Sequence, residues 1–61
     1  MKYRDLIKLV EKDGWQYQYS TGSHRHYLHE EKPGKVTIPG HPSDEVHPKT
    51  LRSILKQAGL R

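Results

Sequence analysis

The chain has 61 residues, with 11 Lys and Arg against 7 Asp and Glu, a net charge of +4, five histidines and no cysteine. Residues 1–61 read as one domain, near the lower limit for a chain that folds without disulfides or metal. The missing cysteines exclude a disulfide framework and a cysteine-based zinc site, and no apolar run approaches membrane-spanning length. A basic balance points to an acidic partner such as nucleic acid.

Tyr3, Leu6, Ile7 and Val10 recur at helical spacing, with Lys2, Asp5, Lys8 and Lys12 largely opposite. This spacing predicts an amphipathic helix over roughly residues 2–13, stopped at Asp13-Gly14. No signal peptide is expected ahead of it, and the chain reads as cytoplasmic. Trp15, Tyr17 and Tyr19 alternate with glutamines and predict a half-buried strand, its aromatic stripe assigned mostly to the core. Ser20-Thr21-Gly22-Ser23 reads as a turn and residues 24–29 as the returning strand of a hairpin. Lys32-Pro33-Gly34 is a second turn, and Lys35-Val36-Thr37-Ile38 a third strand.

Three prolines and a glycine make residues 39–48 a loop. Pro48 suits the first position of a second helix, whose apolar face is Leu51, Ile54, Leu55 and Ala58 and whose stop is Gly59. The expected class is α+β, in the order α-β-β-β-α. Three antiparallel strands and two helices bury one core when both helices cover the same sheet face, which leaves the other face open as a candidate binding surface.

Alternation along the second strand puts His24, His26 and Leu28 on one face and Arg25, Tyr27 and His29 on the other. Tyr27 is assigned inward, because burying two imidazoles would demand hydrogen-bond partners in a very small core. Leu28 is then exposed. His24 reads in three ways: a surface histidine after a turn, a general base or acid acting on a ribose 2′-hydroxyl, or a metal ligand paired with His26. Imidazole titrates near neutrality, which suits proton transfer; a zinc site usually needs three or four ligands. Arg25, Lys35 and Lys49 are candidate phosphate contacts, Lys49 helped by free amides at a helix N-terminus. Arg52 and Lys56 continue along the helix, where a solvated face is the alternative. Thr37 and Ser23 are minor polar candidates.

Four segments together resemble one family. They are Leu6-Ile7-Lys8-Leu9-Val10-Glu11-Lys12-Asp13-Gly14-Trp15, Gly22-Ser23-His24, Lys32-Pro33-Gly34-Lys35-Val36-Thr37-Ile38-Pro39 and Thr50-Leu51-Arg52-Ser53-Ile54-Leu55-Lys56-Gln57-Ala58-Gly59. In this order they resemble the HicA toxins, over almost the whole chain. The chain departs from that pattern at Glu30, where many relatives have proline, and at Lys49, where they often have glycine. The resemblance implies a double-stranded-RNA-binding-domain-like fold and a ribosome-independent endoribonuclease that cuts mRNA. It also implies a HicB antitoxin that covers the active site, and it maps the catalytic histidine onto His24. The reading adopted from the residues is an enzyme that needs no metal or other cofactor, in which Gly22 and Ser23 fix the turn that presents His24 and contact RNA. The alternatives from the residues are a non-catalytic RNA-binding module of the same fold and a small protein-binding domain.

Overall fold

In a computed structural model, which describes residues 1–60, the chain runs α1 (Tyr3–Lys12), β1 (Gln16–Thr21), β2 (His24–Leu28), β3 (Val36–Ile38) and α2 (Pro48–Gln57). This is the expected α-β-β-β-α order, with element ends within two residues of the predicted ones. The strands form one antiparallel sheet in the order β1-β2-β3, so β2 is central.

Helix α1 buries Tyr3, Leu6 and Val10, the stripe its spacing predicts. The Asp5 carboxylate accepts from the Lys2 amide at 3.4 Å, which places a negative charge at the positive end of the helix. Two further N-terminal amides are satisfied from the proline-rich loop: Tyr3 donates to the Asp44 carbonyl and Arg4 to the Pro42 carbonyl, both at 3.0 Å. The loop is thereby tied to α1, and Val46, its one buried apolar residue, joins the core. At the other end Gly14 has φ +106, and a Cβ there would come within 2.7 Å of the His29 ring. Glycine is needed at this position for both reasons.

The core gathers α1, Trp15, Tyr27, Val36, Ile38, Ile54 and Ala58, with Leu51 and Leu55 packed against it. Each large apolar side chain buried here contributes about 1.5–3 kcal/mol. The expected phase of β2 holds: Tyr27 is buried, His24 and Leu28 are exposed, and His26 is half-buried. The aromatic stripe of β1 does not behave as expected. Only Trp15 is buried, while Tyr17 and Tyr19 are each 52% exposed. For Tyr19 the cause is a register shift: Tyr17 pairs with Tyr27 but Tyr19 pairs with His26, leaving Gln18 as the extra residue of a bulge. One extra residue moves every following side chain to the opposite face. Tyr17 therefore lies on the helix-covered side, at the outer strand, and Tyr19 on the open side.

The C-terminal ends of both helices meet at Lys32, whose ammonium is paired with the Asp13 carboxylate and donates to the Ala58 carbonyl at 3.1 Å. Trp15 Nε1 donates to the same carbonyl at 3.2 Å. The Lys32 hydrogen bond, against a smaller opposing effect of desolvation, holds the Asp13 carboxyl below its ordinary value of 3.8. A depressed carboxylate adds stability above its unfolded pKa and loses it as pH falls through the folded one. Asp13→Asn is therefore expected to be less stable than the wild type at neutral pH, with the gap narrowing below about pH 3.9. Denaturant unfolding of both proteins across that range checks this, and a gap independent of pH would contradict it.

Candidate active site

Thr21 and His24 are paired across the hairpin, so Gly22 and Ser23 are its two turn residues. Gly22 has φ +59, and no non-glycine residue among those described has positive φ. Positive φ at the first turn position alone is the pattern of a type II′ turn, which matches the twist of the flanking strands. The turn hands the chain straight into β2 with His24 as its first residue, exposed to solvent.

Beyond His24 the sheet stops on its β3 side. Arg25 pairs with Ile38, so the position facing His24 falls at Pro39, after the strand has ended. Proline has no amide to extend the ladder. Helix α2 runs alongside, and Gln57 Oε1 accepts from the Thr37 amide at 3.0 Å, which satisfies an edge donor of β3. Between the strand ends and α2 lies a cleft of about 370 Å³. His24 and Thr37 form one wall, Lys49, Thr50, Ser53 and Gln57 the other, and Ile54 and Pro39 complete the lining.

Lys49, Ser53 and Gln57 are spaced four apart, a single stripe on the helix surface. They face His24 because α2 begins at Pro48, with His47 as its N-cap; His47 Nδ1 accepts from the Lys49 amide at 3.2 Å. The structure thus brings His24 and Lys49 together at the turn formed by Gly22 and Ser23. It does not bring in the other two basic candidates. Arg25 lies on the helix-covered face, and its guanidinium donates to the Gly40 carbonyl at 2.9 Å, fastening the proline-rich loop. Lys35 is exposed just before β3, outside the cleft lining and two residues before Thr37, so roughly 7 Å along the strand from it. Thr50, Ser53 and Gln57 were not among the expected site residues. Their signal was the four-residue period starting at Lys49, overshadowed by the more obvious row of Lys49, Arg52 and Lys56.

His26 stands beside the cleft, with Nδ1 at 3.4 Å from Thr37 Oγ1. His29 serves a structural purpose. Its Nδ1 accepts from the amides of Glu31 and Lys32 at 3.0 and 3.2 Å, so Nε2 carries the proton that it donates to the Asp13 carbonyl at 2.7 Å. Among the described residues no three His, Cys, Asp or Glu side chains converge in a way that could hold a metal ion. None of their helices is long and apolar enough to cross a membrane.

The fold and site define a small basic α-β-β-β-α domain that carries an exposed histidine at a strand end, across a cleft from a lysine. Over residues 3–60 the chain matches the family described as HicA toxin of bacterial toxin-antitoxin. With nearly its whole length matched, this chain belongs to the HicA toxin family, and an antitoxin partner follows from that membership. No curated protein matches the chain.

Proposed function

We propose that this toxin is a metal-independent, ribosome-independent endoribonuclease that cuts mRNA in the cleft between His24 and α2. The observation that carries the reading is the placement of His24, exposed at a type II′ turn and directly across from the Lys49–Ser53–Gln57 stripe. His24 takes the proton of a ribose 2′-hydroxyl, whose oxygen then attacks the adjacent phosphorus. The bond to the 5′-oxygen breaks, that oxygen takes a proton from water, and the products end in a 2′,3′-cyclic phosphate and a 5′-hydroxyl.

Negative charge builds on the phosphoryl oxygens as the new bond forms. The Lys49 ammonium, with the Thr50 and Ser53 hydroxyls beside it, is placed to stabilise that charge. Gly22 and Ser23 contribute by fixing the turn and by backbone contact to the RNA. Lys35 holds phosphate further along the strand direction. Arg25 retains donors beyond the one given to Gly40, since a guanidinium carries five. The antitoxin is of HicB type and inhibits by covering this cleft, its acidic surface competing with RNA for a body of net charge +4.

The test is incubation of the purified protein with mixed mRNA in excess chelator. Fragments ending in 2′,3′-cyclic phosphate are the expected result. Activity lost in chelator and restored by zinc or magnesium would move the chemistry to a metal held by His24 and His26. A mobility shift without fragments would reduce the protein to an RNA-binding module.

A further inference from the structure

The open face of the sheet carries an aromatic pair that the cleft chemistry leaves unused. Tyr19 stacks on His26 with ring centroids 4.5 Å apart and planes 24° from parallel. Tyr19 reaches this position only because of the bulge at Gln18; unshifted, it would share the helix-covered side with Tyr17 and Tyr27. Tyr17, equally exposed, is tied down by contrast: its hydroxyl is 2.8 Å from Ser20 Oγ, and its ring meets Tyr27 edge-on at 5.9 Å. The Tyr19 ring has one side on His26 and remains 52% exposed.

This pair is continuous with the cleft. Thr37 lines the cleft and touches His26 through its hydroxyl. His24 precedes His26 by two residues on the same strand face, roughly 6.6 Å along the chain. Single-stranded RNA is commonly held by stacking its splayed bases on aromatic and imidazole rings. The apolar part of this face is one ring pair with Leu28 beyond it, bounded by Gln16, Thr37 and His24. That suits one flat base better than a protein surface, which needs about 800 Å² on each partner.

We propose that the Tyr19–His26 stack is a nucleobase platform, which holds the base of a nucleotide flanking the phosphate cut at His24. The proposal rests on the nuclease reading above and adds a subsite to it. The base lies on the exposed face of Tyr19 while its backbone enters the cleft past His24 toward Lys49. Stacking accepts any base, so the subsite strengthens binding and orients the strand while reading sequence only through stacking strength.

The experiment measures binding of an unstructured single-stranded RNA oligonucleotide to His24→Ala protein, in which the RNA stays uncut. Adding Tyr19→Ala is expected to weaken binding by about 5- to 150-fold. Tyr19→Phe, which keeps the ring, and Tyr17→Ala, on the other face, should each stay within about twofold, as changes outside the contact do. Removing one base at a time from the oligonucleotide should expose a position whose loss weakens the parent by a similar factor and Tyr19→Ala no further. Thermal melts confirm that each variant is folded. If otherwise wild-type protein cuts RNA while Tyr19→Ala cuts and binds like its parent, the platform alone is refuted. Should the wild type neither bind nor cut RNA, the nuclease reading fails and the platform with it. A Tyr19→Ala variant that binds RNA normally but loses the antitoxin would make the face a protein-docking surface and overturn the proposal.

Discussion

Replacing His24 by alanine is expected to lower RNA cleavage about 100- to 10,000-fold, the usual range for loss of a positioned proton-transfer group. The fold should be untouched. His24 is exposed at the first position of β2 and belongs to no part of the core, and surface substitutions of this kind cost no more than about 0.5 kcal/mol. In a domain of this size that is a shift of roughly 2–4 °C in melting temperature. Cleavage assays and thermal melts on the same preparation separate the two effects. A His24→Ala protein that cuts at a comparable rate removes His24 from the chemistry, and one that unfolds gives the residue a structural task. Lys49→Ala tests the opposite wall of the cleft: it should cut more slowly while still melting normally, since Lys49 is also exposed.

The largest expected effect on stability is at Trp15. Its side chain is 2% exposed, its indole nitrogen donates to the Ala58 carbonyl at 3.2 Å, and its ring meets His29 edge-on at 5.2 Å. One residue therefore joins the end of α1, the end of α2 and the turn after β2. Truncating a buried Trp to Ala costs about 3–5 kcal/mol, and a domain of 61 residues is stable by only about 3–9 kcal/mol in total. Trp15→Ala should lower the melting temperature by more than about 15 °C and abolish activity through unfolding, with His24 intact. Trp15→Phe keeps most of the apolar volume, and the Ala58 carbonyl still accepts from Lys32, so its loss should be smaller. A Trp15→Ala melt close to that of the wild type would show that this junction contributes little.

The residues behind these two predictions differ in how locally their roles are encoded. His24 stands out because Gly-Ser-His follows a strand pattern, and alternation alone puts it on the solvent side. The helices are equally legible: the apolar period and Gly14 set the limits of α1, as Pro48 and Gly59 do for α2. All of these are local signals, written within a few residues of the feature they specify. The phase of β2 is legible for a related reason, since only one phase keeps two imidazoles out of a small core. The junction at Trp15 is different, because its partners Ala58 and His29 lie far along the chain.

What the tertiary structure decided lies between segments distant in the chain. The bulge at Gln18 depends on how β1 registers against β2, and a strand with regular alternation carries no sign that one residue will be skipped. That slip put Tyr19 on the open face beside His26, against the expectation from its period with Trp15. The cleft depends on α2 lying along the edge of β3, fixed by contacts such as Gln57 with Thr37, 20 residues apart. Arg25 turned to Gly40 because the proline-rich loop is pinned to α1 through Asp44 and Pro42, which brings a free carbonyl within its reach. By itself, then, the sequence determined the elements, their order and the histidine at the turn, because periodicity and turn chemistry act locally. Which lysine faces that histidine, and which tyrosine lies on its side of the sheet, were decided by strand register and helix docking, whose determinants are pairings between residues far apart in the chain.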